Sequence, residues 1–199
     1  HKFATVDGQL IPVEKLRQGH CLRTIGTAVC GDGTGSYTDA FVSLVGWFVT
    51  EGHVCRTKHR TGRRGEPPTY GTYRDNPTTV DIAQKDGTPR CDQIRATLVA
   101  AGARWHEYTS GPIRRFEVTG STAVALQEAA PDKVMTLPFM ASITPEQRCL
   151  LIDTLIDGDG SRHPTASTLY FVQRRREIVD AFVTLCAFAG KATHVRLRT

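Results

Sequence analysis

Leu44-Val45-Gly46-Trp47-Phe48-Val49-Thr50-Glu51-Gly52 is matched later in the chain by Ile152-Asp153-Thr154-Leu155-Ile156-Asp157-Gly158-Asp159-Gly160. Each is an apolar helical run that ends in an acidic residue followed by glycine. The repetition points to two related halves. Two such helices packed side by side would bring Glu51 and Asp159 together. A helix C-terminus already carries unsatisfied carbonyls and the negative end of the dipole, so an acid there is unfavourable by itself. A hard cation reverses the sign, because it takes carboxylate and carbonyl oxygens together. The pattern suggests divalent-metal chemistry on a symmetric substrate. Glu51 and Asp159 are then the metal-binding acids, with Thr50 and Gly158 beside them in the metal site.

Outward from the first run, Phe41, Leu44, Val45 and Phe48 give helical spacing, with Asp39 as cap and Gly52 as stop. Residues 53–60 alternate and predict a strand with a basic face. Residues 61–78, rich in Gly, Pro, Arg and Tyr, predict a long loop or hairpin connection, followed by a strand at 78–83. Residues 89–102 predict a helix with Ile94, Leu98 and Val99 inward. A hairpin of 104–108 with 114–118 turns across Ser110-Gly111-Pro112, and a short helix covers 121–130. Residues 131–143 connect the halves. Thr144-Pro145-Glu146 opens the second motif helix with a cap and a first-turn proline. A strand at 168–173, a helix at 175–189 and a last strand at 193–197 complete the pattern. At the other end, residues 1–30 read as a β-rich piece with a turn at Asp7-Gly8. The run Cys30-Gly31-Asp32-Gly33-Thr34-Gly35-Ser36 reads as a linker. The expected division is an N-terminal segment (1–36), a first half (37–143) and a shortened second half (144–199).

The net charge is +5 and the sequence pI is about 9.0, a balance that suits a polyanionic partner. No run approaches the ~18 apolar residues of a membrane span, so no membrane partner is expected. The six cysteines form no C-x-x-C pair, and Cys149 and Cys186 fall in apolar helical runs. They read as reduced thiols of an intracellular protein, in a prokaryotic or phage-infected cytoplasm or an organelle. The first residue is His1, which suggests a processed, excised or trimmed chain. His53, Cys55 and His59 lack a fourth zinc ligand at usual spacing. Gly31–Gly35 lacks the Lys-Ser/Thr ending of a phosphate-binding loop.

The two motif runs resemble the paired signature helices of LAGLIDADG homing endonucleases. The second is the closer, carrying Asp157-Gly158-Asp159-Gly160-Ser161. The first keeps Gly46 and the acid–glycine ending. Cys91 to Leu98, Ile82-Ala83-Gln84-Lys85 and Asp132 to Pro138 also fit that pattern, so the resemblance spans about residues 38–199. It implies an α+β fold, a pseudo-twofold duplicated αββαββ unit with a saddle-shaped antiparallel sheet. The signature helices pack closely at the centre, where Gly46 serves the close approach and Thr154 stands at the equivalent position. The resemblance further implies a monomeric endonuclease that uses Mg²⁺ or Mn²⁺ to hydrolyse one phosphodiester in each strand of a long, specific double-stranded DNA site, leaving short 3′ overhangs. Lys133 and Lys85 are its candidate catalytic lysines.

Antiparallel ribbons fit the DNA major groove, where Arg and Gln read base edges and other charges hold phosphates. The candidate DNA-binding residues are Arg56, Lys58, Arg60, Arg63, Arg64, Arg74, Gln84, Arg114 and Arg115 in the first half. In the second half they are Arg162, Gln173, Arg174, Arg196 and Arg198, with Arg175 and Arg176 in the same basic stretch. A non-cleaving relative is the alternative: an intron maturase, a transcription regulator or a decayed endonuclease that still binds nucleic acid. The N-terminal piece, His1 to Gly8 with Pro12 to Leu22, is similar to part of an intein splicing (Hint) domain. That likeness implies flanking splicing segments beyond this chain.

Overall fold

The structure, a computed structural model, describes residues 2–5, 9–20, 35–61, 69–162 and 168–196, with only the main chain for 4, 56–61 and 69–77. Two short strands, β1 (Lys2–Ala4) and β2 (Leu10–Pro12), pair antiparallel with Phe3 opposite Ile11. The Asp7-Gly8 turn and most of the glycine-rich linker lie outside the described residues.

Helix α1 (Asp39–Glu51) forms where apolar spacing predicts it. Its cap is Thr38, one residue earlier than expected, whose side chain accepts from the Phe41 amide at 3.2 Å. Asp39 instead lies in the first turn, where negative charge suits the dipole. Buried residues occupy nearly every position from Val42 to Thr50, the mark of a central helix rather than a surface one.

From Gly52 the chain turns into β3 (Gly52–Thr61) and returns as β4 (Thr69–Lys85). Residues 69–77, expected in a connection, are therefore strand. After α2 (Pro89–Ala100) come β5 (Arg104–Ser110), β6 (Ile113–Thr119) and α3 (Ser121–Ala129). The four strands form an antiparallel sheet in the order β3-β4-β6-β5. Val80 and Ile82 of β4 and Phe116 and Val118 of β6 are buried under the helices. By strand alternation Asp81, Arg115 and Glu117 take the opposite, open face. In α2, Ile94 and Leu98 are buried as expected, but Val99 is 68% exposed. Cys91 takes an inward position instead.

The connection between the halves is not plain loop. It holds a 3₁₀ turn at Pro131–Lys133 and a short helix, α4 (Leu137–Ser142), capped by Thr136. Helix α5 (Pro145–Asp159) starts with a full capping box between Thr144 and Gln147. The Gln147 amide also donates to the Tyr37 carbonyl at 2.7 Å and to Asp39 Oδ1 at 2.9 Å, tying the first turns of α5 and α1 together. Strands β7 (Gly160–Arg162) and β8 (Leu169–Phe171) then pair, and α6 (Arg176–Phe188) packs on α5. Among residues 193–196 no strand forms, against the expectation of one at 193–197. Among the described residues no helix is long and apolar enough to cross a membrane.

Gly52 and Gly160 end their helices, but not by left-handed caps. Both are extended, with φ of −92° and −123°. What each needs is space: a Cβ at Gly52 would lie 2.9 Å from Phe48 Cα, and one at Gly160 would lie 2.7 Å from the Ile156 carbonyl oxygen. The motif glycine lets a strand leave directly over the last turn of its helix.

Arg148 of α5 is only 2% exposed. It donates to the carbonyls of Met140 (3.2 Å), Ala141 (3.2 Å) and Phe188 (3.5 Å), and its guanidinium lies 5.7 Å from the centre of the Phe188 ring. These carbonyls end α4 and α6, so the cation meets two helix C-termini. Arg148→Met should lower unfolding free energy by about 3 kcal/mol in urea titrations, because the donors of buried carbonyls are lost with it. A variant as stable as the parent would refute this role.

Candidate active site

The core of the molecule is the crossing of α1 and α5. It is built from reciprocal small–large pairs. A Cβ at Gly46 would lie 2.8 Å from Thr154 Cγ2, and a Cβ at Gly158 would lie 2.6 Å from Thr50 Cβ. Each glycine thus receives the threonine of the other helix. Both threonine hydroxyls bond back to their own helix, Thr50 to the Gly46 carbonyl (3.0 Å) and Thr154 to the Leu150 carbonyl (2.9 Å). The close approach leaves these hydroxyls satisfied.

That crossing delivers Glu51 and Asp159 side by side at the two helix ends. Both are half-buried. Burial pushes the Glu51 carboxyl up and the charge of Asp159 adds to it, against the lowering effect of the Gln84 hydrogen bond, Arg90 and Lys133. Burial likewise raises Asp159, opposed by Lys133 and Arg90. Each acid is held by a glutamine from its own half. Gln84 Nε2 donates to Glu51 Oε1 at 2.9 Å, and Gln173 Nε2 donates to Asp159 Oδ2. Gln84 is itself fixed, since its Oε1 accepts the Lys85 amide at 2.8 Å.

Lys133 reaches the same place from the inter-half connection. Its ammonium donates to the Thr50 carbonyl at 3.0 Å. Burial lowers its pKa most, while Asp159 and then Glu51 pull it back up. Lys85, the other candidate lysine, is exposed on β4 and contributes its main-chain amide to Gln84. The carbonyl of Thr50 is engaged by Lys133. Gly158 is buried against Thr50.

The candidate DNA-binding residues divide. Arg56, Lys58, Arg60 and Arg74 sit on the long β3–β4 ribbon, with Arg74 opposite Thr57 and Lys58 opposite Tyr73. Arg63, Arg64 and Arg198 lie outside the described residues. Arg115 is on the open sheet face, paired with buried Asp81. Arg114 departs from that expectation: alternation turns it to the helix side, where it meets Asp86 and Glu107 at 2.9 and 3.3 Å. Arg162 pairs with Asp153 and Asp157 on α5 at 3.0 and 3.4 Å. Arg174 and Arg196 are exposed. Gln84 and Gln173, expected among the DNA-binding residues, are bonded to the acids.

Arg90 was not legible as a site residue. It sits in the first turn of α2, and its charge lowers both acids. With Thr88, Gln93, Asp157, Ser161 and Arg162 it lines a groove of about 460 Å³ between the start of α2 and the end of α5. Only its place just after the Gln84-Lys85 strand end could have flagged it.

The fold has counterparts among solved structures. A crystal structure of an alanine variant of I-DmoI in complex with its target DNA, in the presence of manganese, matches with a TM-score of 0.50 and 12% identity over 74% of each chain. A serine variant of I-DmoI with its target DNA and magnesium matches with a TM-score of 0.50 and 12% identity, over 74% of this chain and 75% of that one. This chain has the I-DmoI fold. Mesophilic variants of the homing endonuclease I-DmoI match at a TM-score of 0.48 and 11% identity, over 74% and 75% of the two chains. No protein-family model matches the sequence, and no curated protein matches it.

The acid pair fits a hard divalent ion. Its donors are carboxylate oxygens at helix ends rich in carbonyls, and among the described residues no three His, Cys, Asp or Glu side chains gather as a metal cage. One or two carboxylates, completed by water and phosphate oxygens, are what Mg²⁺ takes at a phosphate-processing site.

Proposed function

We propose that this chain is a divalent-metal-dependent, site-specific endonuclease of double-stranded DNA, of the LAGLIDADG homing type. One observation carries the reading: two desolvated carboxylates at the ends of crossing helices, each held by a glutamine, with a lysine ammonium among them. The motif residues support it independently of the fold.

Glu51 and Asp159 hold Mg²⁺ or Mn²⁺, which supplies charge neutralisation at a phosphodiester. Gln84 and Gln173 fix the two carboxylates and carry no charge to compete with an ion. The Lys133 ammonium places positive charge where a phosphate's negative charge builds up. Arg90, at the lip of the groove, holds the backbone on one side. The β3–β4 ribbon, with Arg56, Lys58, Arg60 and Arg74, lies along the duplex. Because one chain supplies both acids, we propose that it acts as a monomer. The acidic pair also argues against a maturase or regulator, which would need no such costly arrangement.

The test is a pool of randomised duplexes incubated with Mg²⁺ and read by sequencing the cut ends. Cutting should converge on one long site with paired breaks. Lys133→Met should lower the cutting rate ~100-fold while leaving duplex retention intact, since it removes charge at the reacting phosphate. A protein that retains duplexes and cuts none would sink the nuclease reading.

A further inference from the structure

We propose that Asp132 and Arg175 are positioning residues, a clamp between the two halves that holds Lys133 against the acid pair. The inference rests on the reading of Lys133 given above. Asp132 and Lys133 are the non-glycine residues with positive φ among those described, at 48° and 69°. A Cβ disfavours that region, and Lys tolerates it less well than Asp. Two such residues in succession persist only where the surroundings over-determine them.

Here the surroundings are specific. Within the turn, the Lys133 amide donates to the Ala130 carbonyl and the Val134 amide to the Pro131 carbonyl, both at 3.0 Å. From the other half, Arg175 Nη1 donates to the Asp132 carbonyl at 2.8 Å and Nη2 to Asp132 Oδ2 at 2.9 Å. A planar guanidinium that grips main chain and side chain of one residue fixes both position and orientation. The turn so held sends the Lys133 ammonium to the Thr50 carbonyl, one residue before Glu51.

The clamp is also coupled to the second acid through the chain. Arg175 lies two positions after Gln173, which bonds Asp159. The short stretch 173–175 therefore grips Asp159 with one side chain and the lysine's turn with another. In the first half the corresponding pair is Gln84 and Asp86. There Asp86 takes Arg114 of the neighbouring strand β6. The second half has turned the same position to a different task, and so lysine and Asp159 share one mount.

Amine acetylation of the native protein, followed residue by residue by mass spectrometry, tests this without a substrate. Lys85 and Lys191 are exposed references. In the parent, Lys133 should react far more slowly than either. Arg175→Ala and Asp132→Ala should raise its rate several-fold, at an unchanged rate for the references. Asp132→Asn keeps both acceptors and tolerates positive φ, so it should stay slow. On a duplex the parent cuts, Arg175→Ala should lower kcat ~100-fold with KM nearly unchanged, the signature of a misplaced catalytic group. Unchanged Lys133 reactivity in Arg175→Ala would overturn the clamp. So would a rise in KM alone, which would make Arg175 a phosphate contact. If the parent cuts no duplex, the nuclease reading fails and the acetylation rates alone decide the clamp.

Discussion

Glu51→Gln and Asp159→Asn should each reduce DNA cutting by roughly 10³-fold or more, and each should also raise the melting temperature of the metal-free protein at neutral pH. The second effect follows from the site's electrostatics. Burial raises both carboxyls, and the two negative charges face one another. The folded state therefore holds protons that the unfolded chain has already released, in the window between the ordinary carboxylate pKa and the raised folded one. Stability falls as pH rises through that window, and the deficit persists at neutral pH. A neutral amide of the same shape removes the deficit and still accepts the Gln84 or Gln173 hydrogen bond. Melting curves in chelator from pH 4 to pH 8 should show variant and parent converging at the acid end. Mg²⁺ should then raise the parent's midpoint and leave the double variant's in place, because only the parent binds it. Variants that melt below the parent at neutral pH in chelator would overturn this account.

Gly158→Thr should destabilise the fold by about 3 kcal/mol, at the upper end of overpacking effects. The new Cβ alone would lie 2.6 Å from Thr50 Cβ, where the last turns of the two helices meet. Neither helix can retreat, since Gln147 joins their first turns and both are buried along most of their length. Adding Thr50→Gly exchanges the pair and should recover most of the loss. Urea titrations of the two single variants and the double variant form the cycle, and contacting residues should give a clear coupling energy. Additive losses would mean that the threonine and glycine do not meet.

The sequence made the centre of this fold readable because its demands are local. An apolar run, an acid and a glycine specify a buried helix, its end and the strand that leaves it. The glycine's reason is less legible. Gly52 and Gly160 are extended residues under close backbone approach, which no local signal distinguishes from any other helix stop. The long β4 was hidden for a related reason. Gly71, Asp75, Asn76 and Pro77 carry turn chemistry; Asp75 pairs with Arg56 in the register with β3, while Gly71, Asn76 and Pro77 fall at the two irregularities of that pairing. Helix α4, six residues long with a proline in its first turn, is too short for periodicity to register. In the site, the acids were legible from their unfavourable position and Lys133 from its resemblance to the family pattern. The bonds of the two glutamines to the acids are not legible, because nothing in a single chain says which carboxylate a glutamine will meet. Buried Arg148 could not be seen at all, since its partners are main-chain carbonyls of two other helices.

The helix crossing has a consequence for assembly. Counted along the repeat, Gly46 corresponds to Thr154 and Thr50 to Gly158, so each level of the interface joins unlike residues at like positions. Two copies of the first half would set glycine opposite glycine at one level, leaving a hole, and threonine opposite threonine at the next, with no room. Two copies of the second half would suffer the same faults in reverse order. The volumes of the two halves are complementary, so the unlike pair fits where either like pair would not. Separated by cleavage of the connection, the halves should re-form the unlike pair and not either like one.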